Sequence, residues 1–168
     1  MASITLRGNP VKTSGDLPSK GATAKNFSLV KEDLSEVTLD SYKGKKKLLN
    51  IFPSLDTGTC ANSVRKFALA ATALKDVIVI DISKDLPFAQ KRFCTAENIN
   101  GVEVLSAFRS SFAKDYGLEI TDGPLAGLCS RAVIILDENN HVLYTEQVSE
   151  IGQEPNYDKA LEILKTGT

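Results

Sequence analysis

The order of apolar segments along the chain predicts an α/β fold with a mixed central sheet and helices on both faces. Short apolar runs typical of buried strands alternate with longer segments whose apolar residues recur every three or four positions, as in helices. Helical crossovers join parallel strands. The alternating segment after Asn139-Asn140 predicts a hairpin partner, and so an antiparallel edge. We expect one domain over residues 1–168, long enough to bury its own core.

Runs of apolar and β-branched residues predict the strands, and turn residues separate them. Two runs at 4–7 and 11–13 flank Gly8-Asn9-Pro10 and predict an N-terminal β-hairpin. Further strands are predicted at 27–30, 37–39, 48–52, 77–82, 102–105, 132–137 and 141–148. Helical spacing or helix-start signals predict helices at 59–74, 87–97 and 110–116 and after Pro155-Asn156.

The composition argues against nucleic-acid and membrane partners. Lysine and arginine together number 20 and the acidic residues 21, so the formal net charge is −1. No apolar run approaches the roughly 20 residues of a membrane-spanning helix, and the first residues lack the features of a secretory signal. Three cysteines do not make the framework of a secreted disulfide-rich domain, so we expect a cytoplasmic protein.

Cys60 stands where a predicted buried strand passes into a predicted helix. The apolar run 48–52 leads into loop residues and then into a helical stripe that begins near Thr59. A thiol in the first helical turn lies near unpaired N–H groups and the positive end of the helix dipole, which favour an anion. Such a thiol is a candidate nucleophile, although a free cysteine is more often an inert core residue.

Three other residues could complete a site around Cys60. Thr57 precedes it by three positions, and its hydroxyl could bond the sulfur or an incoming oxygen, or else cap the helix. Pro53 would form one wall of a pocket, because proline has no backbone N–H that could donate a competing hydrogen bond. Arg131 begins the predicted strand 132–137 and could present two N–H groups to a sulfur anion. Other cations that spacing cannot rank are Arg65, Arg92 and Arg109.

The two remaining cysteines are compatible with more than one role. Cys94 lies 34 positions after Cys60 on the next predicted helix. It could attack an oxidised Cys60 and leave a disulfide, or it could be a core residue. Cys129 lies in a loop two residues before Arg131, and proximity in sequence alone assigns it no role.

Several other kinds of site have no support in the sequence. The chain has no C-x-x-C pair, which argues against a disulfide reductase of the thioredoxin kind. His141 is the only histidine and falls in a predicted turn, so a Cys–His protease pair is weakly supported. Metal-ligand spacing, a phosphate-binding loop and a dinucleotide-binding loop are all absent, and we expect no cofactor.

The candidate residues together resemble the signature of the peroxiredoxins: Pro, three residues, Thr or Ser, two residues, Cys, and a distant Arg. Pro53, Thr57 and Cys60 have that spacing, and Arg131 matches the arginine. Segments that resemble the atypical two-cysteine peroxiredoxins of the bacterial thiol peroxidase type occur in the same order, namely NIFPSLDTGTC, SVRKF, ISKDLPFAQKRFC, DGPLAGL and RAVIILDENN. The resemblance covers nearly the whole chain, and Cys129 matches no catalytic position of that family.

The resemblance implies a thioredoxin-like fold with an added N-terminal hairpin. It implies reduction of hydrogen peroxide and organic hydroperoxides, in antioxidant defence, without metal, haem or flavin. Cys60 would become a sulfenic acid, and Cys94 would resolve it as a disulfide within one chain. Thioredoxin would be the reductant, and a homodimer the usual assembly.

Alternatives to this interpretation remain open at the level of sequence. Within enzymes, a glutathione-peroxidase-like or bacterioferritin-comigratory-type peroxidase would place its resolving cysteine differently from Cys94. A redox sensor or a holdase chaperone could use the same disulfide as a switch. A non-catalytic binding module of the same fold would have an unreactive Cys60.

Overall fold

Seven strands form one mixed sheet and two more form a separate hairpin, within the residues 2–166 that the computed structural model describes. The strands are β1 Ser3–Leu6, β2 Asn9–Lys12, β3 Ser28–Val30, β4 Glu36–Thr38, β5 Lys46–Ile51, β6 Val77–Ser83, β7 Glu103–Ser106, β8 Ala132–Leu136 and β9 Val142–Gln147. The helices are α1 Gly58–Ala71, α2 Pro87–Glu97, α3 Phe112–Asp115 and α4 Tyr157–Thr166, with a 3-10 turn at Leu39–Tyr42.

The sheet has the order β4-β3-β7-β6-β5-β8-β9. The three central strands β5, β6 and β7 are parallel, and α1 and α2 connect them in turn. Such crossovers are right-handed, and those from β5 to β6 and from β6 to β7 run in the same direction across the sheet. The helices α1 and α2 therefore lie on the same face. The outer strands pair antiparallel, β8 with β5 and β9 with β8 on one side, and β3 with β7 on the other. The predicted mixed sheet is confirmed.

Buried side chains divide into a core on each face of the sheet. Leu49 and Ile51 of β5 face a cluster that includes α3 and the 3-10 turn, whereas Leu48 packs with α1 and α4. Phe52, just beyond β5, belongs to a third cluster that contains residues of both α1 and α2. Side chains alternate between the two faces because a strand has a period of two residues. Helices pack on both faces, as predicted.

The N-terminal hairpin forms, but its turn lies one residue earlier than the sequence pattern indicated. Arg7 and Gly8 make the turn, with φ of 51° and 81°, while Asn9 and Pro10 belong to β2. A two-residue hairpin turn of this kind needs positive φ at both central positions, which glycine adopts freely and arginine does not. Local turn signals therefore pointed to the Gly-Asn-Pro cluster rather than to Arg7.

The hairpin is fixed to the chain that follows β9. The Thr5 N–H donates to Ser149 O at 2.8 Å, and the Ile151 N–H donates to Thr5 O at 2.9 Å. The Gly8 N–H also donates to Glu150 Oε1 at 2.9 Å. These bonds hold the hairpin beside the carboxyl ends of the parallel strands. Within residues 2–166, none of the helices has the length and apolar character to cross a bilayer.

Candidate active site

Cys60 is the third residue of α1, and its side chain is fully buried. The chain leaves β5, passes Phe52 and the loop 53–57, and enters α1 with Thr57 as the extended residue before the helix. Phe52, Leu55 and Val64 pack around the thiol. The predicted position of Cys60, in a first helical turn beyond a buried strand, is observed.

Arg131 supplies the cation at Cys60. Its Nη2 donates to Cys60 Sγ at 3.2 Å, and its Nε donates to Ile151 O at 2.8 Å. The side chain is 2% exposed, and Nη1 has no hydrogen-bond partner within the described part of the chain. A buried guanidinium is unfavourable unless it is paired, and the sulfur of Cys60 is its side-chain partner.

Strand register explains why Arg131 reaches Cys60 from 71 residues away. The strands β5 and β8 are antiparallel, and Ile51 is the partner of Ala132. The end of β5 therefore lies beside the start of β8. Ala132 packs on the α3 face of the sheet, so the residue before it points to the α1 face, where Cys60 lies.

The three other candidate arginines lie elsewhere. Arg65 is bonded to Glu97 at 2.8 Å, and Arg109 to Glu36 at 3.0 Å, both in exposed ion pairs. Arg92 is exposed on α2. The structure thus distinguishes Arg131 from the cations that sequence spacing left equivalent.

Thr57 and Pro53 line a cavity of about 640 Å³ that Arg131 also lines. The hairpin residues Leu6 and Val11 form another part of its wall. The Thr57 hydroxyl donates its single hydrogen to Ser54 O at 3.1 Å, so it neither caps α1 nor donates to the Cys60 sulfur here. It remains at the cavity, where a rotation could turn it towards a ligand.

Asp85 holds the loop in front of Cys60 and was not singled out from the sequence. Its Oδ1 accepts from Ser54 Oγ at 2.7 Å, and its Oδ2 accepts from the Leu55 N–H at 2.8 Å and from Ser83 Oγ at 2.7 Å. The sequence indicated only that Asp85 belongs to the entry of α2. Its link to the 53–57 loop depends on the parallel pairing of β5 and β6, which a local pattern does not reveal.

Cys94 lies on α2, half-buried, and packs against the same apolar cluster as Cys60. Both are free thiols. Cys94 lines a separate groove of about 550 Å³, together with Glu32 and Asn98. Burial raises the pKa of the Cys94 thiol to about 12, and the negative charge of Glu32 adds to the rise. In this conformation Cys94 is therefore a protonated thiol outside the cavity that Arg131 lines.

Cys129 is on the opposite side of the sheet from Cys60. It is fully buried in the cluster that contains Phe112 of α3, and burial raises the pKa of its thiol to about 12. Its closeness to Arg131 in sequence therefore does not bring it to the site. Among the described residues, no three His, Cys, Asp or Glu side chains are grouped as a metal site would require.

Replacement of Cys129 by serine is expected to leave peroxide turnover within a few-fold of the wild-type rate. The reason is that the central sheet separates this thiol from Cys60. Steady-state turnover and mapping of disulfides in the oxidised protein check this expectation. Cys129→Ala serves as a companion that adds no buried hydroxyl; a collapse of turnover in both variants, with a Cys60–Cys129 disulfide in the wild type, would contradict it.

Sequence comparison agrees with this geometry. The redoxin family model matches residues 19–161. Thiol peroxidases of Mycobacterium bovis and Mycobacterium tuberculosis are 53% identical to the chain over 164 residues, which is 98% of this chain and 99% of each relative. The chain belongs to the thiol peroxidase family.

Solved structures of thiol peroxidases and related proteins share the whole fold. A peroxiredoxin-like protein from Aquifex aeolicus superposes with a TM-score of 0.93 at 38% identity, covering 98% of this chain and 96% of the other. The thiol peroxidase from Chromobacterium violaceum gives a TM-score of 0.90 at 26% identity, with the same coverage of both chains. The thioredoxin-like fold predicted from the resemblance is therefore confirmed, and the chain is assigned a peroxidase activity of the family's kind.

Proposed function

We propose that this thiol peroxidase reduces hydrogen peroxide and organic hydroperoxides through Cys60, with Cys94 as the resolving thiol and thioredoxin as the reductant. The observation that carries the proposal is the 3.2 Å contact between Arg131 Nη2 and Cys60 Sγ beside a cavity. The guanidinium favours the thiolate, which is the nucleophilic form of the thiol.

In the first step the Cys60 thiolate attacks the terminal oxygen of the hydroperoxide. The O–O bond breaks as the S–O bond forms, so sulfur loses two electrons and the leaving alkoxide or hydroxide takes up a proton. Arg131 Nη1 supports this step, because an unpartnered N–H donor can stabilise charge that develops on an oxygen. Pro53 would wall the cavity, and the Thr57 hydroxyl would turn to the substrate oxygen.

In the second step the Cys94 sulfur attacks the Cys60 sulfenic acid. The S–S bond forms as the S–O bond breaks, and the hydroxyl leaves as water with the proton of the Cys94 thiol. A dithiol such as thioredoxin then reduces the disulfide by exchange: its own two thiols become a disulfide, and Cys60 and Cys94 are thiols again for the next cycle. A disulfide requires the two Cα atoms to come within about 7 Å, and Cys94 faces a groove separate from the substrate cavity. We propose that the second step is accompanied by movement of a helix.

The helix α2 is the element suited to move. It has 11 residues and buries only Pro87 and Gln90, whereas α1 buries six of its 14 residues. Short helices depend on tertiary packing rather than on their own propensity, so a helix with so few buried side chains opens at a small cost in free energy. Opening would also expose Cys94 to water and remove the burial that keeps it protonated.

Formation of the Cys60–Cys94 disulfide is expected to loosen α2 and the first turn of α1. Hydrogen exchange on the reduced and the oxidised protein measures this, with faster exchange expected over Pro87–Glu97 and around Cys60 after oxidation. The strands β5 and β8 serve as internal controls and should stay protected in both states. Equal protection of α2 in both redox states would show that the cysteines are already poised to bond, contrary to this expectation.

We also propose that the chain acts as a cytoplasmic homodimer in antioxidant defence. Exposed apolar residues support the dimer: Leu86 is 51% exposed, Phe88 66% and Phe108 39%. The hydrogen bond from Ser106 Oγ to Asp85 O holds the two segments that carry them side by side. A patch of this kind is typical of a protein–protein interface.

The experiment that tests the function is a steady-state assay with peroxide, thioredoxin, thioredoxin reductase and NADPH. Catalytic consumption of NADPH supports a thioredoxin-dependent peroxidase. Consumption of a single equivalent per chain would instead identify a redox switch, and equal turnover with glutathione in place of thioredoxin would overturn the proposed reductant.

A further inference from the structure

A chain of buried polar side chains runs beneath Cys60 from the central sheet. Asn50 of β5 and Asp81 of β6 are paired positions in the parallel register, and both are fully buried. Asn50 Nδ2 donates to Asp81 Oδ1 at 2.8 Å and to Ser63 Oγ at 3.2 Å. Ser63, on α1, donates its hydroxyl hydrogen to Cys60 O at 2.8 Å. Asp81 is thereby connected to the backbone of the residue that carries the thiol.

When Asp81 is ionised, these side chains have too few hydrogen-bond donors for their acceptor oxygens. Both amide hydrogens of Asn50 and the hydroxyl hydrogen of Ser63 are already used. Two oxygens are then left without a partner in the described part of the protein, Asp81 Oδ2 and Asn50 Oδ1. Buried polar atoms are rarely unpaired, and an unpaired buried carboxylate is more unfavourable still.

One proton accounts for both unpaired oxygens. The two side chains are already joined on one side through Asn50 Nδ2 and Asp81 Oδ1. A hydrogen on Asp81 Oδ2 would be donated to Asn50 Oδ1 and close a two-bond pair between an amide and a carboxylic acid. Every donor and acceptor in the chain from Asp81 to Cys60 would then have a partner.

Among residues 2–166, no cation forms an ion pair or hydrogen bond with Asp81 that would favour its ionised form. Its paired positions are Asn50 on β5 and the apolar Val104 on β7, and the Cys94 thiol of α2 is close enough to interact with its charge. Ser63 of α1 is reached through Asn50, and the neutral Gln90 of α2 bonds Ser83, two residues further along β6. The buried guanidinium of the site, that of Arg131, is directed at Cys60 Sγ and Ile151 O. Burial raises the pKa of Asp81 to about 8, against a smaller lowering by the bond from Asn50.

We propose that Asp81 is a positioning residue for Cys60: a protonated acid that donates to Asn50 and, through Ser63, fixes the first turn of α1. The proposal rests on the proposed function of Cys60 as the nucleophile. Asp81 does not touch the reacting atoms. Its ionisation at high pH would break the amide–acid pair and loosen the turn that presents the thiol to Arg131.

Asp81→Asn provides the decisive variant, because a carboxamide reproduces the protonated pattern at every pH. Its Nδ2 can donate to Asn50 Oδ1, and its Oδ1 can accept from Asn50 Nδ2. The matched control is Asp33→Asn, which changes an acid in the exposed β3–β4 turn. Single-turnover loss of peroxide should fall several-fold in the wild type and in Asp33→Asn as the pH rises past about 8, and this fall should be absent in Asp81→Asn.

Infrared spectroscopy of the wild type supplies a readout independent of activity and of how the variant folds. Aspartate labelled with ¹³C at the carboxyl carbon should show the carbonyl band of one protonated acid at neutral pH, replaced by carboxylate bands above about pH 8. A fully ionised set of aspartates at neutral pH would overturn the proposal, as would identical pH profiles in the wild type and Asp81→Asn. Absence of peroxide loss from the wild type at every pH would overturn the proposed function, and the positioning role with it, whatever the infrared result.

Discussion

Cys60→Ser is expected to reduce single-turnover peroxide consumption to the uncatalysed background. Serine is isosteric with cysteine, but a hydroxyl in this setting is not ionised and cannot form a sulfenic acid. The fold should survive, because the side chain keeps its size and its place among Phe52, Leu55 and Val64. Peroxide loss after mixing with one equivalent of reduced protein measures the effect.

Cys94→Ser is the matched control for this measurement. It removes the other thiol of the same apolar cluster but leaves the nucleophile and Arg131 in place. One equivalent of peroxide should still be consumed at close to the wild-type rate, while formation of the intramolecular disulfide is lost. Undiminished consumption in Cys60→Ser would show that another thiol is the nucleophile.

Arg131→Ala is expected to slow peroxide reduction by about 100-fold or more, the range found when one preorganised donor is removed from an active site. The substitution removes the 3.2 Å bond to Cys60 Sγ and the charge that favours the thiolate. Alkylation of Cys60 at neutral pH should slow for the same reason. Rapid-mixing kinetics with peroxide and with an alkylating reagent measure the two effects.

Arg109→Ala is a suitable control, since that arginine is exposed and paired with Glu36 on the surface. It should leave both rates unchanged. Arg131→Lys keeps a positive charge but loses the planar fork that contacts Cys60 and Ile151 together, so it should recover only part of the rate. Wild-type rates of both reactions in Arg131→Ala would remove Arg131 from the site.

Features set by residues close in sequence could be predicted. The bounds of α2 agree with the predicted 87–97, because Pro87 opens the helix and Asn98 ends it in the left-handed conformation. The setting of Cys60 at the start of α1 also follows from a local order of strand, loop and helical stripe. The hairpin turn was misplaced by one residue, since nothing in its local sequence shows that Arg7 takes a positive φ.

Features set by strand pairing could not be predicted from spacing. Four arginines were equivalent in sequence, and the register of β8 on β5 selects Arg131. Asp81 and Asp85 were missed for the same reason, because their partners, Asn50 and Leu55, come from a neighbouring strand and its following loop. Position in sequence made Arg131 one candidate among four, and only the family resemblance ranked it first; the resemblance gave no sign of either aspartate.

The antiparallel pairing of β5 and β8 also determines where the chain tolerates insertions and deletions. Insertion or deletion of one residue just before Ala132 would shift the register of one flanking segment by one position, so its side chains would move to the opposite face of the sheet. The Arg131 guanidinium would then point away from the Cys60 thiol. On the other side of β8, a bulge between Ile135 and Leu136 already absorbs a change of register against β9. We therefore expect length variation among relatives to concentrate at the turn between β8 and β9, and the approach to Ala132 to keep a constant length.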